Sequence, residues 1–156
     1  MNILSIPIRL LGVAALLCLA VGSLVLWRYL TPTVAQAEQY WNENGVRHYH
    51  IQVTYEAGPR YKSRHDITVK DGQVLDDQIA IENCRMTNGG CSLAWGGDQT
   101  VPGLFGTART AMQEYQPWVT VRFDWRYGFP RRIIRDNPQV FDDDVTWNVE
   151  AFDVLP

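Results

Sequence analysis

Cys84 and Cys91 enclose Arg85-Met86-Thr87-Asn88-Gly89-Gly90. If Met86 to Gly89 form a four-residue loop, Arg85 pairs with Gly90 and Cys84 lies opposite Cys91. Directly opposed residues of a non-hydrogen-bonded strand pair have Cβ atoms within disulfide reach. In an oxidising compartment the two thiols are expected to form a structural disulfide. Two thiols are too few to hold a metal, and no further Cys or His lies close in sequence. A second cluster is His48, His50 and His65. Three imidazoles invite a zinc reading, but the pleat opposes it. Tyr49, Ile51, Val53 and Tyr55 must face the same way as Ile67 and Val69 to build one core. That register puts His65 on the core side and His48 and His50 on the other. His50 would instead meet Asp66 across a hairpin, a pH-sensitive pair.

Acidic and aromatic residues complete the inventory. Asp142-Asp143-Asp144, with Asp136 and Asp124, supplies oxygen ligands of the kind calcium takes, yet the spacing matches no calcium loop. A turn whose carboxylates cap and solubilise a strand start is the favoured account of the run. Trp95, Trp118 and Trp125 would form either an aromatic platform for a glycan or protein, or part of the core. Trp118 falls on the face opposite Val119, Val121 and Phe123. No Ser-His-Asp set, phosphate-cradling glycine loop or paired-carboxylate motif is present, and Gly96-Gly97 lacks the lysine a P-loop needs. No catalytic residue, metal or cofactor is assigned. The candidate surface is His48, His50, Trp118 and Trp95.

The elements that position these residues follow from hydrophobic period. Val34 to Asn44 reads as a helix stopped by Gly45. Arg47 to Glu56 alternates as a strand, Ala57-Gly58-Pro59 turns it, and Tyr61 to Lys70 returns. Asp71-Gly72 is a hairpin turn leading into a third strand, Gln73 to Cys84. Thr100 caps a helix running to about Gln116, with Leu104, Phe105, Ala108, Ala111 and Met112 as its apolar stripe. The stretch from Trp118 to Asp153 holds three strands, two long with a shorter one between. Val119, Val121, Phe123 and Trp125 alternate in the first. Tyr127-Gly128-Phe129-Pro130 reverses the chain, and Val145, Trp147, Val149 and Ala151 alternate in the last. Strands arrive in hairpins rather than βαβ units. The expected fold is therefore α+β, a mostly antiparallel sheet of five to six strands with two helices packed on one face.

The N-terminus sets the compartment. Leu10 to Trp27 is uncharged over 18 residues, close to the ~20 that a membrane-spanning helix needs. A transmembrane signal-anchor is expected over residues 10–30, with residues 1–9 cytoplasmic, a linker at 31–37, and an extracytoplasmic domain over 38–156. Trp27, Arg28 and Tyr29 suit the outer interface. The alternative is a signal peptide cleaved after Ala35-Gln36-Ala37. Without Arg9 and Arg28, the part beyond residue 37 has net charge −5, which gives no electrostatic case for nucleic acid or anionic lipid.

The sequence resembles a family of small bacterial exported domains known as domain of unknown function 6174. Trp41 ahead of Tyr49, Val69-Lys70-Asp71-Gly72-Gln73-Val74 and Thr100-Val101-Pro102-Gly103-Leu104-Phe105 carry the resemblance. So do Phe123, Asp124, Tyr127-Gly128-Phe129-Pro130, Asp136, Asp143-Asp144 and Thr146-Trp147-Asn148-Val149. The resemblance runs from about Trp41 to Val154 and implies a membrane-tethered, extracytoplasmic domain with no assigned activity. Members often carry Cys-x-Cys after the first strand. This chain has none there, so no shared cysteine chemistry carries over. The expected role is a non-catalytic binding or interaction module, anchored in the membrane through residues 10–30 and engaging protein partners. One alternative is a single-span accessory subunit of a larger membrane complex, using the small residues Gly12, Ala14, Ala15, Ala20, Gly22 and Ser23 for helix packing. The other is a hydrolase built on His50 and Asp66.

Overall fold

The computed structural model describes residues 32–85, 97–140 and 144–156. The expected membrane span at 10–30, together with Cys91, Trp95, Asp142 and Asp143, lies outside them. No helix among the described residues is long and apolar enough to cross a membrane.

Helix α1 (Val34–Asn44) buries Ala37 and Trp41, one turn apart on the same face. Gly45 ends it at φ +64°, where a side chain would be strained. Strands β1 (Tyr49–Ala57) and β2 (Tyr61–Lys70) pair antiparallel from Tyr49↔Val69 to Ala57↔Tyr61. Asp71 and Gly72 both have positive φ, 52° and 75°, the backbone of a two-residue hairpin turn into β3 (Gln73–Cys84). Helix α2 (Val101–Glu114) starts at Thr100, whose hydroxyl accepts from the Gly103 N–H at 3.3 Å. Asp98 Oδ1 accepts from the Thr100 N–H at 2.8 Å and fixes the entry. The helix stops two residues short of the expected Gln116, because a residue preceding proline is disfavoured in the helical region and Pro117 follows.

After α2 come β4 (Val119–Phe123), β5 (Pro130–Arg135) and β6 (Val145–Val154). The sheet has six strands in the order β3-β2-β1-β6-β5-β4, antiparallel throughout. The last strand thus sits in the middle and joins the two hairpins. Both helices share one buried cluster with the sheet: Ala37 and Trp41 from α1; Leu104, Phe105 and Ala108 from α2; and Ile51, Val53, Ile67, Ile133 and Val149 from the strands. The fold is α+β, as the hairpin pattern implies.

The register shifts twice between β2 and β3, once between β1 and β6 and once between β4 and β5, and the last two shape the surface around β6. First, β4 has only five residues and ends at Phe123. The expected continuation to Trp125 fails because the register shifts between Arg122 and Phe123, and the chain turns at Asp124. Secondly, β6 carries a bulge. Val53 pairs with Val149 but Gln52 pairs with Ala151, leaving Glu150 as the extra residue. One inserted residue exchanges the faces of everything beyond it. Ala151, expected on the core face, shares the outer face with Gln52, and Phe152 opposite Ile51 takes its place.

Candidate binding groove

The bulge brings Phe152 into an aromatic cluster. Its ring lies 4.5 Å from Phe129, 5.4 Å from Tyr49, 5.9 Å from Trp41 and 5.4 Å from Tyr127, centroid to centroid. Trp41 meets Tyr49 and Phe129 edge-on at 5.7 and 6.0 Å, a favoured geometry for aromatic quadrupoles. Tyr49 also accepts the Val101 N–H at 3.2 Å, and burial pushes its phenol up to about 12.

The loop from Asp124 to Phe129 is locked over this cluster. Asp124 Oδ1 accepts the N–H groups of Arg126 at 2.9 Å and Tyr127 at 2.8 Å. The Asp124 N–H donates to Phe129 O at 2.8 Å, and the Gly128 N–H donates to Asp124 O at 3.0 Å. Gly128 has φ +82°, and a Cβ there would meet Tyr40 Cδ1 at 2.7 Å and Ala37 O at 3.1 Å. The loop therefore abuts α1 with no room for a side chain, and the Tyr40 hydroxyl donates to Arg126 O at 3.2 Å. So constrained, the loop turns Trp125 outward to 86 % exposure.

Between this loop and β6 lies a groove of about 270 Å³, lined by Trp125, Arg126, Tyr127, Arg131 and Phe152 among others. Its wall is a strand edge. On the β5 side, β6 pairs only from Val145 to Asn148, ending at Arg132↔Asn148. Of its remaining residues, Val149 and Ala151 to Val154 pair with β1 alone, and the bulged Glu150 pairs with neither strand. The 420 Å³ depression around Arg47, His48 and Val154 is larger but has no aromatic wall.

The histidines and Trp118 fall elsewhere. His48 Nε2 lies 2.9 Å from Asp71 Oδ1, and that hydrogen bond, helped by the Pro156 carbonyl, raises its pKa. His50 bonds Asp66, whose other oxygen accepts from Gln52 Nε2 at 2.7 Å. The two contacts, His50 first, lower the Asp66 pKa. His65 is 2 % exposed on the core face, with Nδ1 3.5 Å from Asp77 Oδ1. The three histidines are thus separated, each beside its own aspartate. Among the described residues no group of three or more His, Cys, Asp or Glu could hold a metal ion. Trp118 is half-buried, and its carbonyl accepts from the Asp136 N–H at 3.0 Å. Cys84 ends β3, and its expected partner Cys91 lies outside the described residues. Of the turn Tyr127, Gly128, Phe129 and Pro130, Tyr127 and Phe129 line the groove and Gly128 and Pro130 do not; His48, His50 and Trp118 do not line it either. The exposed Trp125 is obscured in the sequence by its place in an apparently continuous alternation. The capping pattern of Asp124 ahead of Gly128 is the signal that marks the strand end.

The model of a family of unknown function, DUF6174, matches residues 33–154. The chain belongs to this family. The match takes in both helices, all six strands and the whole groove. No curated protein and no solved structure matches the chain.

Proposed function

We propose that this DUF6174 member is a membrane-anchored, extracytoplasmic domain that binds another protein through the groove beside Trp125 and carries out no chemistry. The observation that carries the reading is the uncovered half of β6, floored by Phe152 and Tyr127 and flanked by an 86 % exposed tryptophan. Exposed Trp and Arg beside a formed concavity are the residue types that dominate protein interfaces. A non-catalytic role is supported by the histidines, of which His48 and His50 are each hydrogen-bonded to an aspartate, His65 is buried, and none lines the groove. The anchor rests on the uncharged run from Leu10 to Trp27. The Cys84–Cys91 disulfide belongs to the same proposal, and thiol labelling of Cys84 without reductant would dispose of it.

The test is photo-crosslinking from residue 131 of the full chain in its native membranes. A defined crosslinked protein, lost when Trp125→Ala is added, is the expected result. Solitary chain, or crosslinks indifferent to Trp125→Ala, would reject the groove as the binding site.

A further inference from the structure

Four arginines crowd one end of the sheet. Arg122 and Arg132 are directly opposite each other on β4 and β5, Arg131 adjoins the register shift, and Arg126 lies in the loop. All four are exposed, and among the described residues none makes an ion pair. Elsewhere among the described residues Lys62 pairs with Glu56 and Glu82, Arg64 with Glu82 and Arg109 with Glu38, whereas the exposed Arg47 and Lys70 stand apart from this patch without an ion pair. Asp124 and Glu150 line the groove together with Arg126 and Arg131, and both carboxylates already accept hydrogen bonds from the chain. Asp124 accepts two backbone N–H groups, and Glu150 accepts from Asn148 Nδ2 at 2.7 Å. Like charges directly opposed across a strand pair destabilise a sheet. Arg122 and Arg132 form such a pair beside the groove, next to the two arginines that line it, and make this end of a domain of net charge −5 locally basic.

The second observation is the shape of the opening. Val149 to Val154 present one strand edge to β1 and leave the other uncovered. Four of these, Val149 to Phe152, line the groove, which at ~3.3 Å each is about 13 Å of strand. Unpaired N–H and C=O groups on such an edge recruit an extended chain, and side-chain pockets select its sequence.

Resting on the binding role proposed above, we propose that the groove takes an acidic, extended peptide segment of a partner protein. The segment adds as a strand to the free edge of β6, and its carboxylates meet Arg126, Arg131 and Arg132. Guanidinium forks bind carboxylates in two parallel hydrogen bonds, which gives the site preference as well as affinity. Apolar side chains alternating with the acidic ones would rest on Tyr127 and Phe152.

The experiment uses the full chain in detergent micelles and three fluorescent ten-residue peptides, alternating valine with glutamate, serine or lysine. Binding of the glutamate peptide, at least tenfold tighter than the serine peptide and weakened by added salt, is expected. Arg126→Glu with Arg131→Glu should cost at least tenfold for the glutamate peptide and create binding of the lysine peptide. That gain also shows the variant to be folded. Equal binding of all three peptides would overturn the acidic preference yet leave a peptide groove. Glutamate-peptide binding indifferent to the double substitution would place the site elsewhere and overturn the proposal. No peptide binding, alongside a crosslink at residue 131 that depends on Trp125, would overturn the peptide class and leave the binding role standing. Arginine-dependent binding to anionic vesicles without peptide binding would overturn it in favour of a lipid surface.

Discussion

Replacing Gly128 by alanine should cost far more than the same change at Gly72, although both have positive φ. Gly72 has φ +75° and nothing within 4 Å of where a Cβ would stand, so Gly72→Ala meets only the backbone penalty. Placing alanine in the left-handed region costs about 1–2 kcal/mol. Gly128 has φ +82° and carries the same penalty, but its Cβ would stand 2.7 Å from the Tyr40 ring and 3.1 Å from the Ala37 carbonyl. Tyr40 is 46 % exposed and its ring can swing, though that sacrifices its hydrogen bond to Arg126 O. The Ala37 carbonyl is helix backbone and yields only if α1 moves. Overpacking of this kind adds about 1–3 kcal/mol, for a total of about 2–5 kcal/mol at Gly128. Urea unfolding of the full chain in mild detergent measures both. Removing the ring with Tyr40→Ala should bring the Gly128→Ala cost back toward that of Gly72→Ala, a coupling that a double-mutant cycle isolates. Equal costs at the two glycines, within about 0.5 kcal/mol, would refute the close approach of loop and helix on which the groove geometry depends.

Three further outcomes are expected. His48 should titrate above its ordinary value of about 6.5, and Asp71→Asn should bring it down. The sign follows: a raised His48 pKa stabilises the fold at pH below 6.5 and loses that contribution as pH rises through the folded pKa. The depressed Asp71 adds stability above its unfolded pKa, lost on acidification. Histidine NMR resonances unaffected by Asp71→Asn would discard the pair. Thr100→Ala should destabilise by about 1 kcal/mol through loss of the α2 cap, and an unchanged urea midpoint would show the cap to be dispensable. In an alkaline ultraviolet titration one of the seven tyrosines, Tyr49, should ionise only near pH 12, and a Tyr49→Phe variant should lack that step.

Much of the architecture was legible because local signals agreed with one another. Val34–Asn44, Tyr61–Lys70 and Gln73–Cys84 fall where glycine stops, turn residues and alternation jointly put them. The position of His65 on the core face followed from the pleat alone. What could not be read were the events that break a period. The bulge at Glu150 exchanges Ala151 for Phe152 on the core side, and β4 ends before Trp125. Bulges carry no fixed residue type, since long-range strand pairing and not local propensity decides where the extra residue sits. The groove depends on both breaks and on β5 leaving β6 after Arg132↔Asn148, so it was hidden although its turn residues were not. The histidines drew attention as chemical groups, and the structure disperses them among three separate aspartates.

Strand addition at the free edge of β6 is open to amide hydrogen exchange on the full chain, with and without the glutamate–valine peptide. An added strand predicts slowed exchange at the amides of Val149 to Val154 that face away from β1, with residues paired to β1 unchanged. Exchange along Val149 to Val154 left unaltered by saturating peptide, or protection confined to β3, would contradict it.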